Sequence, residues 1–219
     1  MNKDEIIALI RAAKNPVYLT GAGVSTLSGI PDYRSMNGIY SQGPEYLLSR
    51  ECMLEETDKF YEFVKQIYHP EAEPNVAHFK MAPHKIVTQN IDGLFEKAGA
   101  HDLVEFHGTL YECHCEKCGA DVDYHEFLGT YTHENCGGIV RPNIVLYQEQ
   151  INPDNIERAI QYIAYADLVI VVGTSLKVYP FAGLIQYANA PIIVIDKNEI
   201  YGPQTHSYVG DMRDIFTEL

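Results

Sequence analysis

Apolar residues recur along the chain in two different patterns. Residues 3–13 place Ile6, Ile7, Leu9 and Ile10 at helical spacing, which predicts an amphipathic helix. Other apolar runs show no alternation of polar and apolar positions, and each ends in glycine or polar residues, as is typical of strands buried on both faces of a parallel sheet. These runs are residues 16–20, 85–88, 167–172 and 192–195.

Helical segments lie between these runs. Residues 152–164 begin with Asn152 as a cap and Pro153 in the first helical position, and residues 55–68 and 181–188 also predict helices. Strands that alternate with helices build a parallel sheet covered on both faces. We therefore expect an α/β fold.

Two stretches interrupt this alternation. Residues 32–74 contain one of the predicted helices, and residues 109–138 hold most of the cysteines and little apolar periodicity. We interpret both as insertions that together form a small second domain over the carboxyl-terminal edge of the sheet. The large domain then consists of residues 1–31, 75–108 and 139–219.

The charge of the chain argues against some partners. Its 219 residues carry 16 Lys and Arg against 30 Asp and Glu, a formal net charge of −14. Nucleic-acid binding depends on clustered Lys and Arg, so we expect no nucleic-acid partner. No apolar run approaches the roughly 18 residues of a membrane span, and the amino terminus lacks the pattern of a signal peptide. We therefore expect no membrane partner and a cytoplasmic location.

The cysteines are unevenly distributed. Cys113, Cys115, Cys118 and Cys136 lie close together in the sequence, whereas Cys52 stands alone. In a cytosolic chain, such clustering favours a metal site over disulfides.

A glycine turn, Gly21-Ala22-Gly23, follows the first predicted strand. Such a turn lets backbone N–H groups approach a diphosphate at the start of a helix. A dehydrogenase fingerprint would require glycine or alanine where this chain has Thr26, and an acidic residue about 20 residues further on. Neither is present, so the turn alone is equally compatible with a structural role and with a nucleotide site.

Further motifs extend the glycine turn in a fixed order along the chain. They are Gly-Ala-Gly-Val-Ser at 21–25, Gly-Ile-Pro-Asp-Tyr-Arg at 29–34, Thr-Gln-Asn-Ile-Asp-Gly-Leu at 88–94, His-Gly at 107–108, Cys-x-x-Cys at 115–118, Cys-Gly-Gly at 136–138, Arg-Pro at 141–142, Gly-Thr-Ser at 173–175 and Val-x-Pro at 178–180. In these motifs the chain resembles the sirtuins, from about residue 17 to residue 215. The resemblance implies a Rossmann-type parallel sheet with helices on both faces plus a small zinc-binding domain. It also implies an NAD-dependent protein lysine deacetylase of the bacterial type.

The resemblance assigns roles to the polar residues at the predicted strand ends. His107 would be the general base, with Asn90 and Asp92 as further catalytic residues, Asp92 binding the nicotinamide carboxamide and Asn90 holding a water. A histidine suits this task because it titrates near neutral pH. The implied NAD-binding residues are Gly21, Ala22, Gly23, Thr26, Tyr33, Arg34, Gln89, Asn90, Ile91, Asp92, Gly173, Thr174, Ser175 and Asp196.

Several of these positions differ from the family pattern. Tyr33 stands where the sirtuins usually have phenylalanine, and Asp196 stands where they more often have asparagine. Arg34 would bind phosphate with its fork of donors.

The implied zinc ligands are Cys115, Cys118, His133 and Cys136, with His133 in place of a cysteine that the family usually has. Three cysteines and one histidine are a common structural zinc set. Cys113 is the competing fourth ligand, although its spacing from Cys115 would crowd the site, and loss of zinc is a further alternative.

Acylated lysine in a protein is the implied substrate. The segments around Val145, Tyr147, Gln148, Glu149 and Val178 would enclose it as strands flanking an added third strand. Gln148 replaces the glycine usual in the family, which restricts the backbone there. The sequence leaves the oligomeric state open.

The acyl specificity follows from a second comparison of motifs. Sirtuins that prefer succinyl or malonyl lysine carry a Tyr-x-x-Arg pair, and aligning Tyr61-Glu62-Phe63 with their motif puts Val64 and Ile67 at those positions. Both residues are apolar, which favours acetyl or a longer aliphatic acyl group.

Two other functions remain as hypotheses. The same site could belong to a protein ADP-ribosyltransferase, or to a non-enzymatic module that binds NAD and reports its level.

Overall fold

A computed structural model describes residues 1–32, 43–200, 202, 204 and 206–219. Within them, six parallel strands form one sheet and three antiparallel strands form another. The strands are β1 Pro16–Thr20, β2 Lys85–Thr88, β3 Leu103–Glu105, β4 Gly108–Cys115, β5 Asp121–Val122, β6 Val140–Ile144, β7 Leu168–Val172, β8 Ile192–Asp196 and β9 His206–Val209.

The large sheet has the strand order β3-β2-β1-β7-β8-β9. The four strands predicted from apolar runs are its centre, and every residue of β1 and β7 is buried. Alternate residues of these strands enter different cores: Tyr18 and Ile170 pack on one face, and Leu19 and Val171 on the other. The predicted Rossmann-type sheet covered on both faces is therefore confirmed.

Helices cover both faces of this sheet. The described α-helices are α1 Lys3–Ala12, α2 Ala22–Ser25, α3 Pro44–Leu47, α4 Arg50–Glu55, α5 Thr57–Gln66, α6 Val76–Met81, α7 Leu94–Lys97, α8 Tyr124–Gly129, α9 Pro153–Ala164 and α10 Arg213–Phe216. Helices α1, α6 and α10 contribute to one core, and α9 contributes to the other. In the described parts of the chain, no helix combines the length and the apolar character that crossing a membrane requires.

Helix ends follow the predicted capping chemistry. The side chain of Asn152 accepts a hydrogen bond from the Asp154 N–H at 2.9 Å, and Pro153 occupies the first turn of α9. At α1, Asn2 and Glu5 form a reciprocal capping box.

The structure differs from the predicted elements in three places. Residues 181–188 were predicted as a helix, and Phe181–Tyr187 is a 3₁₀ helix rather than an α-helix. The helix predicted over 55–68 is α5, shorter at both ends, because Thr57 starts a new helix directly after α4. Strands β4, β5, β6 and β9 were not predicted, since polar residues interrupt them and leave no clear apolar pattern.

The small sheet has the order β5-β4-β6 and carries its own apolar core. This core combines side chains from α4, α5, α8, β4 and β6, among them Met53, Phe60, Leu110, Phe127 and Val140. The division of the chain into two domains at the predicted boundaries stays a prediction.

His78 is a polar residue on the buried face of α6. Its Nδ1 accepts the Asn75 N–H at 3.3 Å as part of a capping box, and its ring packs edge-on against Phe95. Its buried Nε2 has no hydrogen-bond partner within the described residues. Burial lowers the pKa of His78 to about 4, because the charged imidazolium loses its hydration.

This pKa makes stability depend on pH. Between pH 6.5, the ordinary pKa, and about 4, the unfolded chain binds a proton at His78 that the folded chain does not bind. The free energy of unfolding therefore falls as pH falls through this window, by up to about 1.4 kcal/mol per pH unit, and the effect is absent above it.

We predict that His78→Gln reduces this acid sensitivity. Glutamine can still accept the Asn75 N–H but does not titrate. Urea unfolding of both proteins between about pH 7 and pH 4.5 should show the wild type losing about 1 kcal/mol per pH unit more than the variant at the acid end. Parallel pH profiles would contradict this account of His78.

Candidate functional site

A cavity of about 320 Å³ lies beside the carboxyl-terminal ends of β1 and β2. Polar groups line it at Gln89, Asn90, Asp92 and His107, which directly follow β2 and β3. Apolar side chains line another part, namely Ile30, Phe63, Ile67, Leu110 and Ile144. The cavity thus combines a small set of polar groups with an apolar wall, as ligand sites commonly do.

His107 is held by the strand end next to it. Its Nδ1 lies 3.2 Å from the backbone oxygen of Gln89. A carbonyl oxygen can only accept, so Nδ1 carries the proton of the neutral imidazole and Nε2 is the basic nitrogen. Gly108 follows with φ of 76°, and a Cβ there would lie 1.9 Å from the Asn143 oxygen, so glycine is required at this turn.

Ser25 connects two of the polar residues of the cavity, Asn90 and Asp92. Its hydroxyl donates to Asp92 Oδ2 at 2.6 Å and accepts from Asn90 Nδ2 at 3.0 Å. Asp92 Oδ1 also accepts the Leu94 N–H at 3.0 Å. Burial raises the pKa of Asp92, while the hydrogen bonds from Ser25 and Leu94 oppose this effect. Asn90 and Asp92 therefore have fixed orientations.

The glycine turn packs directly on the end of β7. A Cβ on Gly23 would lie 2.7 Å from Gly173 Cα, and one on Gly21 would lie 2.6 Å from Gln89 Nε2. Gly173 itself has φ of 60°. These three glycines let the two strand ends approach each other more closely than any larger residue would allow.

The amides of this turn donate hydrogen bonds within the protein. The N–H groups of Gly21, Gly23 and Val24 donate to the carbonyls of Val172, Gly173 and Gly21 at 3.2, 2.9 and 3.0 Å. The amides of Gly21 and Gly23 are therefore engaged by the packed strand end, and their predicted approach to a diphosphate stays a prediction. The Ala22 amide begins α2, where the partial positive charge of a helix start favours an anion.

Other predicted nucleotide-binding residues lie along the same edge of the sheet. Thr174 Oγ1 accepts from Gln89 Nε2 at 2.5 Å, and Ser175 follows it at the surface. Asp196 ends β8 and accepts the Asn198 N–H at 2.8 Å. Thr26 Oγ1 donates to the Gly23 oxygen at 2.8 Å, and Ile91 lines the cavity. Tyr33 and Arg34 lie outside the described residues.

The predicted metal ligands converge into one cluster. The ligand atoms of Cys115, Cys118, His133 and Cys136 all lie within 4.8 Å of one another. His133 Nδ1 is 3.3 Å from Cys118 Sγ and 3.2 Å from Cys136 Sγ, and the Sγ atoms of Cys115 and Cys136 are 3.4 Å apart. Zinc bonds of about 2.0–2.3 Å in a tetrahedron require ligand separations near these values. The donor set therefore fits zinc.

Cys113 belongs to a different environment. Its thiol is buried and lies 3.7 Å from the Tyr68 hydroxyl and 3.9 Å from the Leu110 oxygen. Burial raises the pKa of Cys113 to about 11, which opposes the thiolate form that zinc needs. The alternative with Cys113 as fourth ligand is not supported by this geometry, because the thiol packs into the small core.

The predicted substrate segment 145–149 follows β6. Val145, Tyr147, Gln148 and Glu149 all line the cavity, and Val178 lines it from the loop after β7. The side chain of Glu149, however, is bound by two arginines of the protein itself.

Glu149 forms an ion-pair network in which only Arg141 is fully buried. Its carboxylate accepts from Arg141 at 2.5 and 3.0 Å and from Arg50 Nη1 at 3.0 Å. The two arginines also contact Glu116, the neighbour of Cys115, at 3.1–3.3 Å. Burial acts to raise the pKa of Glu149, but the hydrogen bonds from Arg141 and the Leu146 N–H outweigh it and lower the pKa. The network connects the metal cluster to the cavity wall.

One residue of the predicted acyl pair is placed differently. Ile67 lines the cavity, but its partner on the cavity wall is Phe63, whereas Val64 is fully buried in the small core. Phe63 and Ile67 are four positions apart and so share one face of α5 and its carboxyl-terminal end. Both wall residues are still apolar.

Three functional residues were absent from the predicted site. Ser25, Arg50 and Arg141 fix Asp92, Asn90 and Glu149 through the contacts above. Ser25 and Arg141 lie within recognised motifs, so the sequence did mark them. Arg50 carries no motif, and only the packing of α4 beside segment 145–149 reveals it.

Comparison with known proteins gives a consistent result. The model of the Sir2 family matches residues 21–180. The NAD-dependent protein deacetylase of Enterococcus faecalis is 47% identical over 226 residues, covering 98% of this chain and 95% of that protein. The NAD-dependent protein deacetylase of Listeria monocytogenes serotype 4b is 46% identical over 222 residues, covering 96% and 97%.

Solved structures are similar over the whole chain. A Sir2 structure with a p53 peptide and NAD+ has a TM-score of 0.88 and 31% identity, covering 100% of this chain and 97% of that chain. A Sir2 structure bound to an acetylated peptide has a TM-score of 0.87 and 29% identity, with the same coverage.

We predict one zinc ion per chain, held by the four-residue cluster. His133→Ala should lower zinc affinity at least about a hundredfold and lower the thermal unfolding midpoint, because a structural site needs all four ligands. Cys113→Ser should keep full zinc content and serves as the matched control. Metal analysis after gel filtration measures both, and the reverse pattern would make Cys113 the ligand.

Proposed function

The chain belongs to the Sir2 family, and from this premise we propose that it is an NAD-dependent protein lysine deacetylase. It transfers the acyl group from lysine to the ADP-ribose part of NAD and releases nicotinamide. The observation that carries the proposal is the convergence of His107, Asn90 and Asp92 on one cavity with an apolar wall. The named relatives and solved structures support the same chemistry.

Three side chains carry the chemical roles in this proposal. When bound, NAD supplies an anomeric carbon from which nicotinamide can leave. Asp92, oriented by Ser25, binds the carboxamide of nicotinamide, and Asn90 holds a water or a ribose hydroxyl beside it. His107 takes a proton from a ribose hydroxyl at Nε2, since its Nδ1–H donates to the Gln89 oxygen.

The remaining NAD contacts are assigned along the sheet edge. The Ala22 amide at the start of α2 and the hydroxyl of Ser175 meet phosphate, and Thr174 stands beside them. Asp196, at the end of β8, accepts the hydroxyls of the adenosine ribose. Tyr33 and Arg34 keep the roles that their motif implies, as a ring beside the reacting carbon and as a phosphate ligand.

Zinc has a structural role in this proposal. The four ligands Cys115, Cys118, His133 and Cys136 close the coordination shell, so no position is left for substrate. Zinc there holds the loop that precedes β5 against the loop that precedes β6.

The peptide lies between segment 145–149 and the loop at Val178. Backbone groups in these segments bind the acyl-lysine strand, which gives affinity with little sequence preference. We further propose a cytoplasmic location, where clustered cysteines stay reduced and can bind zinc.

We predict that His107→Ala lowers the deacetylation rate by two or more orders of magnitude, the usual effect of removing a positioned base. NAD affinity and zinc content should stay at wild-type levels. His101→Ala, which removes an exposed histidine, is the matched control and should keep full activity. A fully active His107→Ala enzyme would remove His107 from the mechanism.

We also predict a strong preference for acetyl over succinyl lysine in the same peptide. Neither Lys nor Arg lines the described part of the cavity, whereas Asp32, Glu45, Asp92 and Glu149 do. A buried succinyl carboxylate would lack a partner, at a cost of about 3 kcal/mol, which corresponds to about a hundredfold in kcat/KM. Comparable kcat/KM values for the two peptides would show that a cation reaches the acyl group.

A further inference from the structure

Segment 48–51 runs directly beside the substrate segment. Ser49 and Tyr147 form a parallel bridge, with the Tyr147 N–H donating to the Leu48 oxygen at 2.9 Å and the Arg50 N–H donating to the Tyr147 oxygen at 3.1 Å. Both backbone polar groups of Tyr147 are thus used by the start of α4. The start of this helix therefore sets the position of the cavity wall at Tyr147.

Gln148, the next residue, has an unusual backbone conformation. Its φ is 76°, a left-handed value that costs free energy for any residue with a Cβ. Sirtuins usually have glycine at this position, which would adopt the conformation without strain. The glutamine must therefore be held in place by its own contacts.

The side chain of Gln148 provides these contacts. Its Oε1 accepts the Glu51 N–H at 3.0 Å, and its Nε2 donates to Glu51 Oε2 at 3.1 Å. The Glu51 N–H belongs to the first turn of α4, where backbone donors have no partner within the helix. Ser49 caps the Cys52 N–H of the same turn at 3.0 Å. Gln148 thus caps α4 from outside while α4 holds Gln148 in its left-handed conformation.

Glu149, the next residue of the wall, is also bound to the start of α4. It binds Arg50 and Arg141 with distances of 2.5–3.0 Å, so three consecutive residues of the wall are tied to the start of α4. Tyr147, Gln148 and Glu149 all line the cavity. Loss of the hydrogen bonds between Gln148 and Glu51 therefore changes the surface that meets the peptide.

We propose that Glu51 and Gln148 are a pair of positioning residues for the acyl-lysine peptide. This proposal rests on the deacetylase function and adds a device that replaces the family glycine. The pair does not contact the reacting atoms. It stabilises the left-handed turn at residue 148, so that the wall is already in its binding conformation when the peptide arrives.

The test is a cycle of variants assayed with one acetyl-lysine peptide. Gln148→Ala keeps the backbone strain and loses the pair, so KM for the peptide should rise about fivefold, the scale of one charge-assisted hydrogen bond. Glu51→Ala should raise KM less, because the backbone N–H at position 51 still donates to Gln148 Oε1, and the double variant should be no worse than Gln148→Ala. Gln148→Gly should have a clearly lower KM for the peptide than Gln148→Ala, because glycine adopts the turn freely.

The decisive comparison is Glu51→Ala in the Gln148→Gly background, where it should have no effect. In all variants kcat, KM for NAD and zinc content should stay within about twofold of the wild type, which a general loss of folding would not allow. Glu55→Ala, an exposed carboxylate on the same helix, is the matched control.

Two results would overturn the proposal: an unchanged KM in Gln148→Ala, or effects of Glu51→Ala and Gln148→Ala that multiply. Direct binding of the labelled acetyl-lysine peptide is measured in parallel. If the wild type binds the peptide but does not release nicotinamide from NAD, the deacetylase function fails, while the binding cycle still decides the role of the pair.

Discussion

The close approach of two strand ends governs the arrangement of the site. At the ends of β1 and β7, Gly21 and Gly23 pack against Gly173, with backbone atoms where any side chain would collide. The Gly23 N–H donates to the Gly173 oxygen at 2.9 Å, which connects the turn to the neighbouring strand. Because parallel strands end at the same edge, this contact also fixes where the groups after β2 and β8 can lie.

Gln89 connects this packed edge to His107, the proposed base. Its side chain donates to Thr174 at the end of β7, while its backbone oxygen fixes the tautomer of His107. Ser25, in the helix that follows the glycine turn, orients Asn90 and Asp92. The groups proposed to bind nicotinamide and ribose and to take the proton are thus all positioned by this one packed edge of the sheet. The opposite wall depends instead on the small core, through Arg141, Glu149 and the start of α4.

The sequence predicted the central strands, and it singled out residues that the structure brings together in one cavity and one cluster of possible metal ligands, because these rest on local signals. Continuous apolar runs identified β1, β2, β7 and β8, and fixed motifs identified His107, Asn90 and the cysteines. The small sheet could not be predicted in the same way, since β4 carries Glu112 and His114 among its apolar residues. The contacts of Arg50 and Glu51 with segment 147–149 join residues about 97 positions apart, for which no local pattern exists. The acceptors of the Gly21 and Gly23 amides could not be predicted for a similar reason, because Val172 and Gly173 lie far away in the sequence.

The central claim is that this cavity couples the release of nicotinamide to the removal of an acetyl group from lysine. The most direct measurement follows nicotinamide and the acetyl group together, by mass spectrometry, with wild-type protein, NAD and a peptide labelled in its acetyl group. We expect one nicotinamide for each acetyl group removed, with the label recovered on ADP-ribose, and no nicotinamide without the acetylated peptide. Nicotinamide release that is independent of the peptide, or ADP-ribose joined to protein, would contradict the claim.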